Sequence, residues 1–302
     1  MFYAHELWPY GLIWLFLATA IMSAFIQPQP TELQPKTSKI LLALSWPFLL
    51  TVTGILAVVL GKISLSALLF SLTGIGLAAC SHQVFRRPVP AGIRIAIHIA
   101  VILWGLSLAL HLVPGFMNLR VVEKAITGPA SVPFNMHLNL DKPLLFFALL
   151  LLVPGMLGQR IVPSTSQRWI LVCLFAALPA LAWGLGLVAP EFSLPEWLWL
   201  FVLNNLFLTC VAEEALFRGY IQRLLIQRFS APVGIVVASL LFGFAHFSGG
   251  PLFILLATLA GVLYGLCYYW SGRLHWAVLI HFAFNLVHLV FFTYPLAIKN
   301  VA

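Results

Sequence analysis

The sequence predicts an all-α protein, a polytopic transmembrane helical bundle of about ten spans with its catalytic helices in the C-terminal third. Three observations predict it. Of 302 residues, 62% are hydrophobic and only 8% are charged, against roughly 25% charged in soluble domains. Apolar runs approaching the length of about 20 residues that a helix needs to cross a bilayer core recur along the chain. Lys and Arg, sixteen against eight Asp and Glu, stand singly between those runs. That scatter makes the net charge of +8 a matter of loop orientation and argues against a nucleic-acid partner, which would need a basic stripe. Cys80, Cys173, Cys210 and Cys267 each fall in or at the end of an apolar run without CxxC spacing, so neither a disulfide framework nor a structural zinc site is expected.

The runs follow in order. Residues 8–26 lack the basic leader of a signal peptide and read as a retained helix. A Pro/Gln-rich linker occupies 27–39, and runs 40–60 and 63–80 are joined by the tight turn Gly61-Lys62. The basic turn Arg86-Arg87-Pro88 leads into 93–113. Residues 114–143, polar and of mixed charge, read as an extramembrane loop. A short run at 144–157 is followed by 169–188, 197–217, a second short run at 233–247, then 251–269 and 276–294. Placing the basic loop after 217 in the cytoplasm puts eleven of the sixteen basic residues on that side and both termini outside.

Three constellations carry chemistry. Glu213 and Glu214 are the only two acidic residues set directly into apolar sequence, where an ionised group is expensive and faces a cavity or a partner. On a helix the two point about 100° apart, while Glu214 and Arg218 at i,i+4 can pair. Glu214 is then held ionised, and Glu213, desolvated beside a like charge, is left as a general base. The second constellation is Phe242-Gly-Phe-Ala-His246, followed by Gly249-Gly250-Pro251, which ends a helix. The third is His281-Phe-Ala-Phe-Asn285, an imidazole and a carboxamide on one helical face, suited to holding an oxyanion. Singly, each reads equally as an ion pair or an interhelical hydrogen bond. Jointly they supply a base, a water-orienting imidazole and oxyanion donors for amide hydrolysis. Glu213, His246 and His281 are also a plausible zinc ligand set, so the residues alone favour no cofactor and leave zinc open. Asn205 and Thr209 share a stripe with Glu213 and read as packing residues, as does the GxxxG pattern of Gly261 and Gly265.

These three pairs match the motifs EExxxR, FxxxH and HxxxN, and over about 197–294 the chain resembles the CPBP family, the type II CAAX prenyl endopeptidase and bacteriocin-processing or self-immunity group. The resemblance implies an intramembrane protease with Glu213 as catalytic glutamate, His246 as its partner on the water, and His281 and Asn285 on the oxyanion. Glu214 and Arg218 support the first motif. It further implies a membrane-embedded or membrane-associated peptide substrate and a multi-pass protein of a prokaryotic inner membrane. The family is described both with and without a metal, and it is the His281 and Asn285 oxyanion donors that favour a glutamic over a zinc mechanism. Residues 168–302 form the protease domain on this reading, and 1–167 an accessory membrane region carrying the 114–143 loop. Two rivals are a non-catalytic scaffold or immunity protein and a secondary transporter, whose broken helices and midplane carboxylates would look alike.

Overall fold

The computed structural model describes residues 1–26, 36–85 and 87–298; linker residues 27–35 and Arg86 lie outside them. Helices α1 (Gly11–Phe25), α2 (Lys36–Val59), α3 (Leu65–Phe85) and α4 (Ala91–Ala109) precede strands β1 (Leu119–Ala125) and β2 (Phe134–Leu138). Then follow α5 (Leu144–Leu152), α6 (Thr165–Gly184), α7 (Leu198–Arg228), α8 (Ala231–Phe244), α9 (Pro251–Ser271) and α10 (Leu274–Phe291). Local sequence sets several boundaries. Ser164 opens α6 with a capping box: its Oγ accepts from Gln167 N, and Gln167 Oε1 accepts from Ser164 N. Between α8 and α9 the chain turns through Phe247–Gly249 to Gly250, whose φ of +84° suits only glycine, and Pro251 then starts the next helix.

One expectation is corrected and another is not confirmed. The protein is mostly helical but not all-α, because the 114–143 loop folds as an antiparallel hairpin, Leu119 opposite Leu138 and Val122 opposite Met136. The alternation Phe134-Asn-Met-His-Leu138 turns Met136 and Leu138 inward, which is what a half-buried strand requires. The count of about ten spans is not confirmed: among the described residues five helices, α4, α6, α7, α9 and α10, are long and apolar enough to cross a membrane, and four shorter apolar ones accompany them. The short 144–157 run gives only the nine-residue α5, about 13 Å long. Phe146, Phe147, Ala148 and Leu149 within it are wholly buried, so α5 is a core helix inside the bundle.

Backbone pairings sort the connections into two ends. Phe2 bridges Val122, Ile63 bridges Phe116, Ser131 bridges Ala297 and Pro190 bridges Phe292, which gathers both chain ends, the α2–α3 turn and the hairpin. Gly158 bridges Arg273 at the other end. Helix α5 is too short to join these ends, so the chain before it must dip into the bundle. Trp14 Nε1 donates to the Asn139 carbonyl along that descent. Large apolar side chains such as Leu72, Leu103, Trp183, Leu240 and Leu255 face outward from the helices. Exposed apolar surface on this scale, together with five spanning-length helices, describes an integral membrane protein.

Candidate active site

Helix α7 organises the site. The apolar run ends by composition near Phe217, but the helix continues through Arg218 and Gln222 to Arg228, because both polar side chains are wholly buried in protein. Glu213 therefore stands fifteen residues from either end, about 22 Å along the axis each way. Two stretches, Asn204–Cys210 and Ala215–Gln222, are π-helical and flank Val211–Glu214. Wide turns of this kind are rare and occur often at functional sites.

The two glutamates have different partners. Glu214 is wholly buried and accepts from Arg218 Nη1 at 3.1 Å. Arg218 also donates from Nη2 to the Gly261 carbonyl at 2.9 Å, and its guanidinium lies 4.6 Å from the Phe242 ring centroid. One turn on, Gln222 Nε2 donates to the Gly265 carbonyl at 2.9 Å. The GxxxG glycines of α9 thus present carbonyls to a polar stripe on α7. Glu213 instead accepts from Lys142 Nζ at 2.6 Å, with both side chains slightly exposed, 15% and 19%. Beside the like charge next to it in sequence, Glu213 thus also faces an ammonium from the loop before α5.

His281 links the carboxylates. Its Nδ1 donates to Glu214 Oε1 at 2.8 Å, and its Nε2 lies 3.9 Å from Glu213 Oε2. The ring stacks on Tyr264 at 4.5 Å between centroids and meets Phe242 edge-on at 5.6 Å. Across Phe242, at 4.7 Å, lies His246. His246 Nδ1 donates to the Phe242 carbonyl at 2.7 Å, closing the C-terminal end of α8 and leaving Nε2 as an acceptor. Asn285 Nδ2 donates to Asn205 Oδ1 at 3.1 Å and approaches Cys210 Sγ at 3.8 Å.

Residues 195–287 match the family described as type II CAAX prenyl endopeptidase Rce1-like. The Rce1-like segment contains all six sequence-predicted site residues, in agreement with the resemblance to the CPBP family. No curated protein and no solved structure matches the chain. Within the Rce1-like segment, Glu213, His246, His281 and Asn285 line one cavity of about 160 Å³, room for several waters. Glu214 and Arg218 lie behind it. Its remaining wall is largely apolar, including Leu178, Leu256, Ala257, Phe284 and Phe292.

Of the three side chains weighed as zinc ligands, Glu213 accepts from Lys142 Nζ through one oxygen, and among the described residues no group of three or more His, Cys, Asp or Glu is arranged to hold an ion.

Sequence reasoning missed Lys142 and took Asn205 for a packing residue. Lys142 lies outside the Rce1-like segment. The available signal was the brevity of the run behind it: an apolar run too short to span is a buried or re-entrant element, and a lysine at its mouth is carried inward.

Proposed function

We propose that the protein is a membrane-embedded endopeptidase of the CAAX-protease type that hydrolyses a peptide bond with a Glu213-activated water. One observation carries the reading: Glu213 with its Lys142 counter-charge, His246, His281 and Asn285 meet at a cavity whose remaining wall is largely apolar, with the Glu214–Arg218 pair behind His281. Glu213 takes a proton from the water as its oxygen attacks the scissile carbonyl carbon. His246 Nε2 accepts the water's second hydrogen bond and orients it. Negative charge developing on the carbonyl oxygen is met by His281, which donates from Nε2 when both ring nitrogens carry protons, with Nδ1 held by Glu214. Asn285 adds its second amide hydrogen, since the Cys210 sulfur beside it is a weak acceptor that an oxyanion outcompetes. Glu213 then returns its proton to the leaving amine as the C–N bond breaks. This route needs no metal. The apolar wall suits a lipid-modified or membrane-inserted peptide, in line with the Rce1-like match.

The test is cleavage of quenched membrane peptides by the protein in liposomes, wild type beside Glu213→Gln, each with and without a zinc chelator. Activity that survives chelation and disappears in Glu213→Gln is expected. Loss on chelation alone overturns the metal-independent route, and no cleavage of any lipid-modified or transmembrane peptide by the folded wild type overturns the endopeptidase.

A further inference from the structure

A second cavity of about 500 Å³ lies between the hairpin and α7 and differs in chemistry from the first. Asn135, His137 and Asn139 line it from the hairpin side, Asn204, Asn205 and Thr209 from α7. Among the described residues no Asp, Glu, Lys or Arg side chain lines it. Asp141 lies behind its lining, accepting from Asn118 Nδ2 at 3.2 Å and lying 2.6 Å from His111 Nδ1, and both of those residues face the cavity. Asn204 lines the cavity, and its Oδ1 is buried without a hydrogen-bond partner.

The two cavities meet on α7. Thr209 lines both and stands one turn before Glu213, and Asn205 accepts the hydrogen bond that holds Asn285. We propose that the cavity under the hairpin is a second substrate subsite, taking an uncharged polar peptide segment that adjoins the scissile bond while the apolar cavity takes the apolar segment. This rests on the endopeptidase reading. A peptide drawn to this depth must satisfy its own N–H and C=O groups, and carboxamides supply donors and acceptors of the same kind. A charged segment would find no carboxylate, ammonium or guanidinium among the described lining residues, only the imidazoles of His111 and His137, and an apolar one would leave Asn204 Oδ1 stranded. The volume falls within the usual range for ligand sites, about 300–1,000 Å³.

Two quenched peptides test it, sharing one apolar segment and continuing past the cleavage region with either Ser-Asn-Gln-Ser or four alanines. In liposomes the wild type is expected to favour the polar tail by about tenfold in kcat/KM, the scale of one or two net hydrogen bonds. In Asn204→Leu the ratio is expected to fall to near one. Being internal to each protein, the ratio is unaffected if part of the variant misfolds. Binding of the same peptides, fluorescently labelled, to Glu213→Gln protein gives a readout without cleavage, with the same preference expected in Kd and its loss expected on adding Asn204→Leu. A Kd preference that depends on Asn204 without any cleavage by the wild type would remove the endopeptidase and keep the subsite. Cleavage with no tail preference in either readout, or a preference that survives Asn204→Leu, would remove the subsite and keep the endopeptidase.

Discussion

Helices α7–α10 and the segment from the hairpin to α5 each supply a counter-charge to one of two adjacent glutamates, in opposite ways. Arg218 reaches Glu214 from four residues along the same helix, both side chains wholly buried, with its other nitrogen fixed on the Gly261 carbonyl. Lys142 reaches Glu213, which lines the cavity, from 71 residues away on a four-carbon stem. The first pair is dry and locked. The second is wet and adjustable. A carboxylate that must exchange protons with water needs the second arrangement, whereas one that orients an imidazole needs the first. Adjacent residues of one type thus acquire separate duties from the regions that face them.

Exchanging the duties would break this comparison most directly. Glu213→Gln is expected to lower kcat by about 10²–10⁴-fold, the usual worth of a general base, with little change in thermal unfolding in detergent. Glu214→Gln is expected to show chiefly in stability, because it leaves Arg218 buried without its counter-charge, at about 3–5 kcal/mol. Activity assays and unfolding curves on both variants decide it. A Glu213→Gln protein that melts far below wild type, beside a Glu214→Gln protein that does not, would reverse the assignment.

Lys142 sharpens the contrast on a smaller scale. Lys142→Met is expected to lower kcat about tenfold, equivalent to ~1.4 kcal/mol of electrostatic positioning, while Lys142→Arg, which keeps the charge, recovers most of it. Its effect on stability is expected to stay below about 1 kcal/mol, because both partners are partly solvated. Steady-state kinetics on the two variants provide the check. Equal losses in both would mean that the lysine's shape matters and its charge does not.

The sequence carried the motif-bearing region best where its interactions are local. Spacing alone paired Glu214 with Arg218, and the helical face shared by His281 and Asn285 directs both into one cavity. What it hid was either non-local or non-standard. Lys142 belongs to no motif, and the short run behind it signals that it is carried inward but not that its partner lies 71 residues on. The π-helical turn places Asn205 and Cys210, five apart, in contact, Cys210 Sγ donating to Asn205 Oδ1 at 3.2 Å, where α-helical spacing aligned Asn205 with Thr209. Hydropathy ended α7 near Phe217 because it scores Arg218 and Gln222 as solvent-seeking, although Glu214 and the Gly261 and Gly265 carbonyls accept from them inside the protein. The hairpin showed its alternation at 134–138, but the surrounding polar residues outweighed it. The longer α7 brings Glu213 to the middle of its helix, where the α8 end and the early turns of α10 can reach it.

The smallest expected effect on kcat lies in the backbone that supports the dry pair. A Cβ added at Gly261 would come within 3.0 Å of Ser239 Cα and 3.3 Å of Arg218 Nη2, so Gly261→Ala pushes α9 away from α8 and lengthens the bond from Arg218 to its carbonyl. Overpacking of this kind costs about 1–3 kcal/mol. At Gly265 the added methyl meets Gln222 Oε1 at 2.7 Å, the far end of a flexible side chain, and the cost falls toward the lower part of that range. Glu213 touches neither glycine, so kcat is expected to hold while the melting temperature drops, more for Gly261→Ala than for Gly265→Ala. If kcat fell in proportion to stability, the dry stripe would be transmitting its geometry to Glu213 through His281, and the two glutamates would form one unit.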